Sequence, residues 1–213
     1  MSEDPVAAIR RLGVVPIARG VGLRDLAAAA AVLLAEGMGV VEVTLNTPDA
    51  IETIRHLRDV YQDRLVLGAG TVLDAAQAEQ AVAAGARFLV TPHVDGDVAA
   101  ASQRLGVPLI AGALTPTEIL QAWRGGAALV KVFPAATVGA EYLTHLRGPL
   151  GQIPLVPTGG ITVDNTSTFI AAGAAAVGVG GSLLGARAND PAWLRQEIGA
   201  FAAAVDRGRR ARA

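Results

Sequence analysis

Short runs of β-branched and aliphatic residues alternate with longer Ala-rich stretches whose apolar positions recur at helical spacing. The runs predict strands at 14–18, 40–45, 65–70, 88–91, 108–112, 128–133, 154–157 and 176–180. Between them the spacing predicts helices near 23–36, 48–60, 74–84, 95–105, 116–124, 139–147 and 164–172, with a last helix near 191–206. Punctuation agrees with this reading. Asp74, Asp95 and Asp164 stand where helix N-caps belong, and Thr115-Pro116-Thr117-Glu118 reads as a capping box with proline in the first turn. Gly37, Gly85, Gly106, Gly125 and Gly173 are placed to end helices in the left-handed conformation.

Eight strand–helix units follow one another with no linker, which predicts one α/β domain over 1–213, a (β/α)8 TIM barrel. The length of 213 residues suits it, since such barrels run to about 200–250 residues as one unit. A doubly wound open sheet is the alternative. Against it, no GxGxxG follows the first strand, and polar residues recur near the C-terminal ends of several strands, as a barrel with one mouth requires.

Composition narrows the setting. No stretch approaches the roughly 20 apolar residues that a membrane helix needs, so no membrane partner is expected. The acidic start, Met-Ser-Glu-Asp-Pro, lacks the features of a secretory signal, and cysteine is absent; cytoplasmic residence is the expectation. A net charge of −1 gives no footprint for nucleic acid. The arginine-rich segment 207–213 reads as a short, solvated and frayed basic tail.

The 18 basic residues comprise 17 arginines and one lysine, Lys131. Arginine can replace lysine at surface charges, but its guanidinium stays protonated and cannot form an imine. The role without a substitute is a Schiff-base nucleophile. In 129–134, Leu-Val-Lys-Val-Phe-Pro, strand alternation puts Lys131 and Phe133 on the face opposite Val130 and Val132. In 41–46, Val41, Val43 and Leu45 oppose Glu42, Thr44 and Asn46. With the apolar sets against the helices, Glu42 and Lys131 both point inside. A desolvated lysine offers more neutral amine, and an interior carboxylate, costly to bury, suits proton transfer.

Two glycine-rich segments follow the seventh and eighth strands: Pro157-Thr158-Gly159-Gly160-Ile161 and Gly178-Val179-Gly180-Gly181-Ser182. Loops at these places in barrel enzymes often receive a phosphate on backbone N–H groups and a helix N-terminus. Thr158, Gly159, Gly160, Gly180, Gly181 and Ser182 are therefore candidate phosphate ligands. Arg19 and Thr71 end the first and third strands and are equipped to hold a substrate carboxylate. Competing readings are a surface ion pair for Arg19 and a helix cap for Thr71. Pro92 is placed to shape the pocket wall, with Phe133 beside the amine and His93 near the mouth. His56 and His145 read as surface residues. No histidines have metal-ligand spacing, so neither metal nor cofactor is expected.

Five segments together are distinctive: Val-Val-Pro-Ile-Ala-Arg-Gly (14–20), Val-Glu-Val-Thr-Leu (41–45), Gly-Ala-Gly-Thr-Val-Leu (68–73), Lys-Val-Phe-Pro (131–134) and Pro-Thr-Gly-Gly-Ile (157–161). In them, and over almost the whole chain, the sequence resembles the bacterial 2-keto-3-deoxy-6-phosphogluconate (KDPG) aldolases. That family also includes 4-hydroxy-2-oxoglutarate and 2-keto-3-deoxy-6-phosphogalactonate aldolases. The resemblance implies a class I aldolase that yields pyruvate and glyceraldehyde 3-phosphate, with Lys131 forming the imine and Glu42 relaying protons. It further implies that Thr71 binds the carboxylate, that Gly159, Gly160 and Ser182 receive the phosphate, and that the protein is a homotrimer in Entner–Doudoroff-type carbohydrate metabolism. One departure stands out. Many KDPG aldolases carry arginine four residues after the glutamate, where this chain has Asn46; Arg19 is then expected to supply the cation, and the swap leaves the sugar configuration open. Rival readings are a phosphosugar isomerase or epimerase, and a non-catalytic phosphosugar-binding barrel.

Overall fold

The computed structural model describes residues 3–212. Its strands are β1 (Val14–Ala18), β2 (Val40–Thr44), β3 (Val66–Gly70), β4 (Phe88–Val90), β5 (Leu109–Ala113), β6 (Leu129–Val132), β7 (Leu155–Pro157) and β8 (Val177–Val179). Its helices are α1 (Pro5–Leu12), α2 (Leu23–Ala35), α3 (Ala50–Tyr61), α4 (Ala75–Ala84), α5 (Gly96–Leu105), α6 (Pro116–Arg124), α7 (Ala135–Leu150), α8 (Val163–Ala171) and α9 (Pro191–Arg212).

The strands run parallel in the order β7-β6-β5-β4-β3-β2-β1-β8. The sheet curls until its edges meet: Thr158 bridges to Gly178, and the Ala175 N–H donates to the Leu155 carbonyl at 2.8 Å. The result is a (β/α)8 TIM barrel rather than an open sheet. Strand alternation sorts the residues into two cores. Val41, Val43, Leu67, Leu89, Val130, Val132 and Val177 belong to the core under the helices. Val15, Val40, Val66, Phe88, Ile110, Leu129 and Val156 form a second cluster inside the barrel.

That inner cluster is sealed by a helix the strand–helix pattern does not predict. In α1, Ala8 and Ile9 are fully buried against the strand interior. Its signals are local: Asp4 accepts from the Ala7 N–H at 2.8 Å, Pro5 opens the first turn, and Gly13 closes the helix with φ 73°. Eight residues are too few to show a persuasive helical period, so the plug is hidden in the pattern.

Other differences are at boundaries. α8 is capped by Thr162 paired with Asn165, and Asp164 sits in the first turn instead. After α6 the positive φ belongs to Gly126 (89°), while Gly125 is at −73°. α7 begins at Ala135 and breaks at Gly139, so only its second part matches the expected 139–147. The basic tail is not frayed. α9 continues through Arg212, and Arg209 Nη2 donates to the Arg10 and Arg11 carbonyls at 2.7 and 2.9 Å. Ala213, at its end, and Met1 and Ser2, on which the N-terminal reading partly rests, lie outside the described residues. Among the described residues no helix is long and apolar enough to cross a membrane.

Candidate active site

β2 and β6 carry the two candidate reactive side chains, Glu42 and Lys131. Lys131 pairs in register with Gly112 on one side and Val156 on the other; Glu42 pairs with Ile17 and Gly68. Both side chains point into the barrel, where Glu42 is 2% and Lys131 3% exposed. Space for them comes from inward glycines. A Cβ on Gly70 would overlap the Glu42 carboxylate, and one on Gly112 would overlap the Pro92 backbone. Pro92 thus forms the wall beside the strand position paired with Lys131.

Burial pushes the Lys131 amine below its ordinary pKa of 10.5. The positive charge of Arg19 acts in the same direction, and the negative charge of Glu42 opposes it. Burial likewise raises Glu42 above its ordinary 4.5, opposed by Lys131 and Arg19. For both groups desolvation outweighs attraction, which moves each toward its neutral form. They feel one another's charge, yet among the described residues they form no ion pair within 4.0 Å, and Glu42 Oε1 has no hydrogen-bond partner. A buried carboxylate oxygen without a partner is costly and is well placed to meet a substrate or water. Lys131 Nζ stands 5.0 Å from the Phe133 ring centroid.

Above this pair, at the C-terminal ends of the strands, a cavity of about 320 Å³ is lined by Arg19, Phe133, Thr158, Gly159, Gly160, Gly180, Gly181 and Ser182. Seven of the residues singled out as phosphate ligands or ring partner therefore share one wall with Arg19. Ile17 and Thr162 also line it. Ser182 Oγ donates to the Ile161 carbonyl at 2.6 Å, tying the two glycine loops together. Asn165 accepts from the Thr162 N–H and donates to the Gly160 carbonyl, both at 2.9 Å, which fixes the first loop. Gly159 and Gly160 have φ of 91° and 74°, a region that side chains other than glycine's rarely tolerate. The N–H groups of Gly160, Gly181 and Ser182 have no acceptor within the protein among the described residues. Free amides converging on a cavity are suited to an anion. No helix starts directly behind Ser182, where the chain continues as turns; α8 opens beside the first loop instead.

Not every expected residue meets at this cavity. Arg19 is exposed and has no ion-pair partner among the described residues, which removes the surface-pair alternative. Thr71, half-buried with φ 56°, lines a separate depression of about 410 Å³ with Asn46, Thr47 and Gln77. It does not cap α4, because Asp74 accepts from the Gln77 N–H at 2.7 Å. His93 is exposed and lies 3.7 Å from Asp95, which caps α5. His56 and His145 are exposed. A larger depression of about 590 Å³, between Arg58, Asp63 and Arg87, lies at the N-terminal ends of the strands and touches neither Lys131 nor Glu42. Among the described residues no three potential metal ligands cluster. The sequence reading missed Thr47, which is buried beside Thr44; the signal was the spacing Thr44-Leu-Asn-Thr47 at a strand end.

A buried lysine whose pKa is lowered by desolvation, sharing the barrel interior with a buried carboxylate under a rim of unpaired backbone amides, is the equipment of a lyase that works through an imine. The chain belongs to the KDPG and KHG aldolase family, whose family model matches residues 6–197. It is 38% identical over 165 residues to a 2-dehydro-3-deoxy-phosphogluconate aldolase of Treponema pallidum, covering 77% of this chain and 78% of that one. It is 31% identical over 174 residues to a 2-dehydro-3-deoxy-6-phosphogalactonate aldolase of Escherichia coli, covering 81% and 85%. Among solved structures, KDPG aldolase from Legionella pneumophila, with pyruvate captured at low pH as a covalent carbinolamine, superposes with a TM-score of 0.84. That match has 31% identity and covers 95% of this chain and 98% of that one. The protein is a class I aldolase, a carbon–carbon lyase.

Proposed function

We propose that the protein cleaves 2-keto-3-deoxy-6-phosphogluconate to pyruvate and glyceraldehyde 3-phosphate, with Lys131 as nucleophile and Glu42 as proton relay. The observation that carries this reading is the chain's single lysine, buried inside the barrel opposite Glu42 and beneath the glycine-lined cavity.

Neutral Lys131 Nζ attacks C2 of the keto acid, and the carbinolamine loses water to give a protonated imine. Glu42, directly or through water, takes the C4 hydroxyl proton. The C3–C4 electron pair moves into the imine, giving an enamine and releasing glyceraldehyde 3-phosphate. Protonation of the enamine at C3, with Glu42 as donor, and hydrolysis of the imine free pyruvate and Lys131. Phe133 and Pro92 enclose the pyruvyl end, and Arg19 and Thr71 are the donors for its carboxylate. Thr158, Gly159, Gly160, Gly180, Gly181 and Ser182 receive the phosphate through backbone N–H groups and hydroxyls. The reading extends to a homotrimer in the cytoplasm, serving Entner–Doudoroff-type sugar-acid breakdown.

A second reading has an observation of its own. Asn46 is exposed where a cation would otherwise stand, while Arg19 lines the cavity from β1. That exchange, and similarity to the phosphogalactonate aldolase, favour 2-keto-3-deoxy-6-phosphogalactonate as a substrate, with 4-hydroxy-2-oxoglutarate as a smaller one.

Incubation with pyruvate and sodium borohydride, followed by peptide mass spectrometry, tests the chemistry. One adduct on Lys131 is expected, and none with Lys131→Arg, since a guanidinium forms no imine. Absence of an adduct on the folded wild type would overturn the assignment. Comparing kcat/KM for the gluconate, galactonate and oxoglutarate substrates then ranks them.

A further inference from the structure

Arg19 carries a charge that nothing beside it holds in place. It is exposed, it has no carboxylate partner among the described residues, and it stands between the 320 Å³ cavity and a neighbouring one of about 290 Å³ lined by Gly20, Asp25 and Asn189. What is fixed is the backbone on either side of it. Thr44 Oγ1 donates to the Ala18 carbonyl at 3.2 Å, and Thr47 Oγ1 accepts from the Gly20 N–H at 2.9 Å. The two hydroxyls also meet each other at 3.1 Å. Thr44 is 0% and Thr47 6% exposed. Two buried threonines of β2 and its following loop therefore grip the chain at the end of β1, one residue before and one residue after Arg19, just where Gly20 turns it with φ 68°. Such a grip spares the arginine from finding its direction anew each time an anion arrives, which is the cost that preorganisation removes.

We propose that Thr47, supported by Thr44, is the positioning residue that aims Arg19 into the substrate cavity and so sets affinity for the substrate's anionic group. The inference rests on the aldolase reading above and deepens it. The β2–α3 loop, whose Thr47 is buried while Asn46, Pro48 and Asp49 are exposed, acts on the substrate through an arginine that follows the neighbouring strand β1.

Thr47→Val keeps the shape and removes the acceptor. It is expected to raise KM for the phosphorylated keto acid about 5- to 10-fold, the size of one lost hydrogen bond, with kcat changed by less than about twofold. Thr47→Ser retains the hydroxyl and is expected to restore KM. In an Arg19→Ala background, Thr47→Val is expected to add nothing, because the group it positions is gone. An unchanged KM, or the same rise with Arg19 already removed, would overturn the inference. Hydrogen exchange of the wild-type Gly20 amide gives a reading independent of any variant's folding: slow exchange is expected, and exchange at the open-chain rate would overturn it. Borohydride trapping of pyruvate on wild-type Lys131 separates the levels. With trapping intact, an unchanged KM removes this inference alone, whereas a wild type that does not trap brings down the aldolase reading and this inference together.

Discussion

At the scale of the residue, the site is organised by desolvation. Lys131 and Glu42 are both driven toward neutrality by burial, and their mutual attraction only moderates the shift. The rate of pyruvate trapping should accordingly climb with pH and level off before 10.5, the ordinary lysine value, as neutral amine accumulates. A climb continuing past that value would show that burial does not control the amine. Glu42 has a consequence for stability. Its folded pKa lies above 4.5, so the folded state holds the proton more tightly, and stability falls as pH rises from 4.5 through the raised value. Glu42→Gln carries no charge and should escape that penalty. It is expected to melt above the wild type at pH 8 while turning over about 10²–10⁴-fold more slowly; thermal melts beside steady-state assays decide it.

At the scale of the element, strands act as rulers, and small residues decide what fits between them. Gly70 on β3 lies under the Glu42 carboxylate, which is the movable end of a side chain; Gly112 on β5 lies under the Pro92 backbone, which is not. Gly70→Ala should therefore leave the fold intact and displace the carboxylate, costing on the order of 10²-fold in kcat, as misplacements of about 1 Å do. Gly112→Ala should instead destabilise the barrel by about 1–3 kcal/mol through overpacking. Circular-dichroism melts and kinetics on the two variants should separate in opposite directions. The inward position of Lys131 and Glu42 was legible from alternation alone, because a period of two leaves one choice once an apolar face is known. The glycines opposite them were not: which neighbour fills the space above a glycine depends on the register between strands, and register is a property of pairs.

At the scale of the whole molecule, closing the ring creates both the site and a bottom that must be sealed. α1 supplies the seal with Ile9, fully buried against the inner cluster far from the mouth. Ile9→Ala should lower stability by about 2–5 kcal/mol, the usual cost of such a truncation. KM should stay as it was, since nothing at the C-terminal face moves; chemical denaturation and kinetics together check this. The same closure brings the two terminal helices together, where Arg209 of α9 donates to the Arg10 and Arg11 carbonyls in the last turn of α1. A basic segment that reads as solvated by composition is thereby kept helical, because only the folded molecule offers it those acceptors.

The sequence by itself determined the eight repeating units, the inward faces of β2 and β6 and the candidate for the nucleophile. Those follow from periodicity and from the place of the chain's single lysine, both properties of single segments. It also marked the glycine loops, since glycines after the last two strands mean the same thing wherever the barrel closes. Only the tertiary structure decided that Thr71 and Asn46 face a depression apart from the glycine loops, that Thr44 and Thr47 grip the chain around Arg19, and that α1 plugs the barrel. Each depends on a contact between residues distant in the chain, 27 positions apart for Thr47 and Gly20. No local pattern encodes such a contact, because its energy is realised only when both strands are already in register.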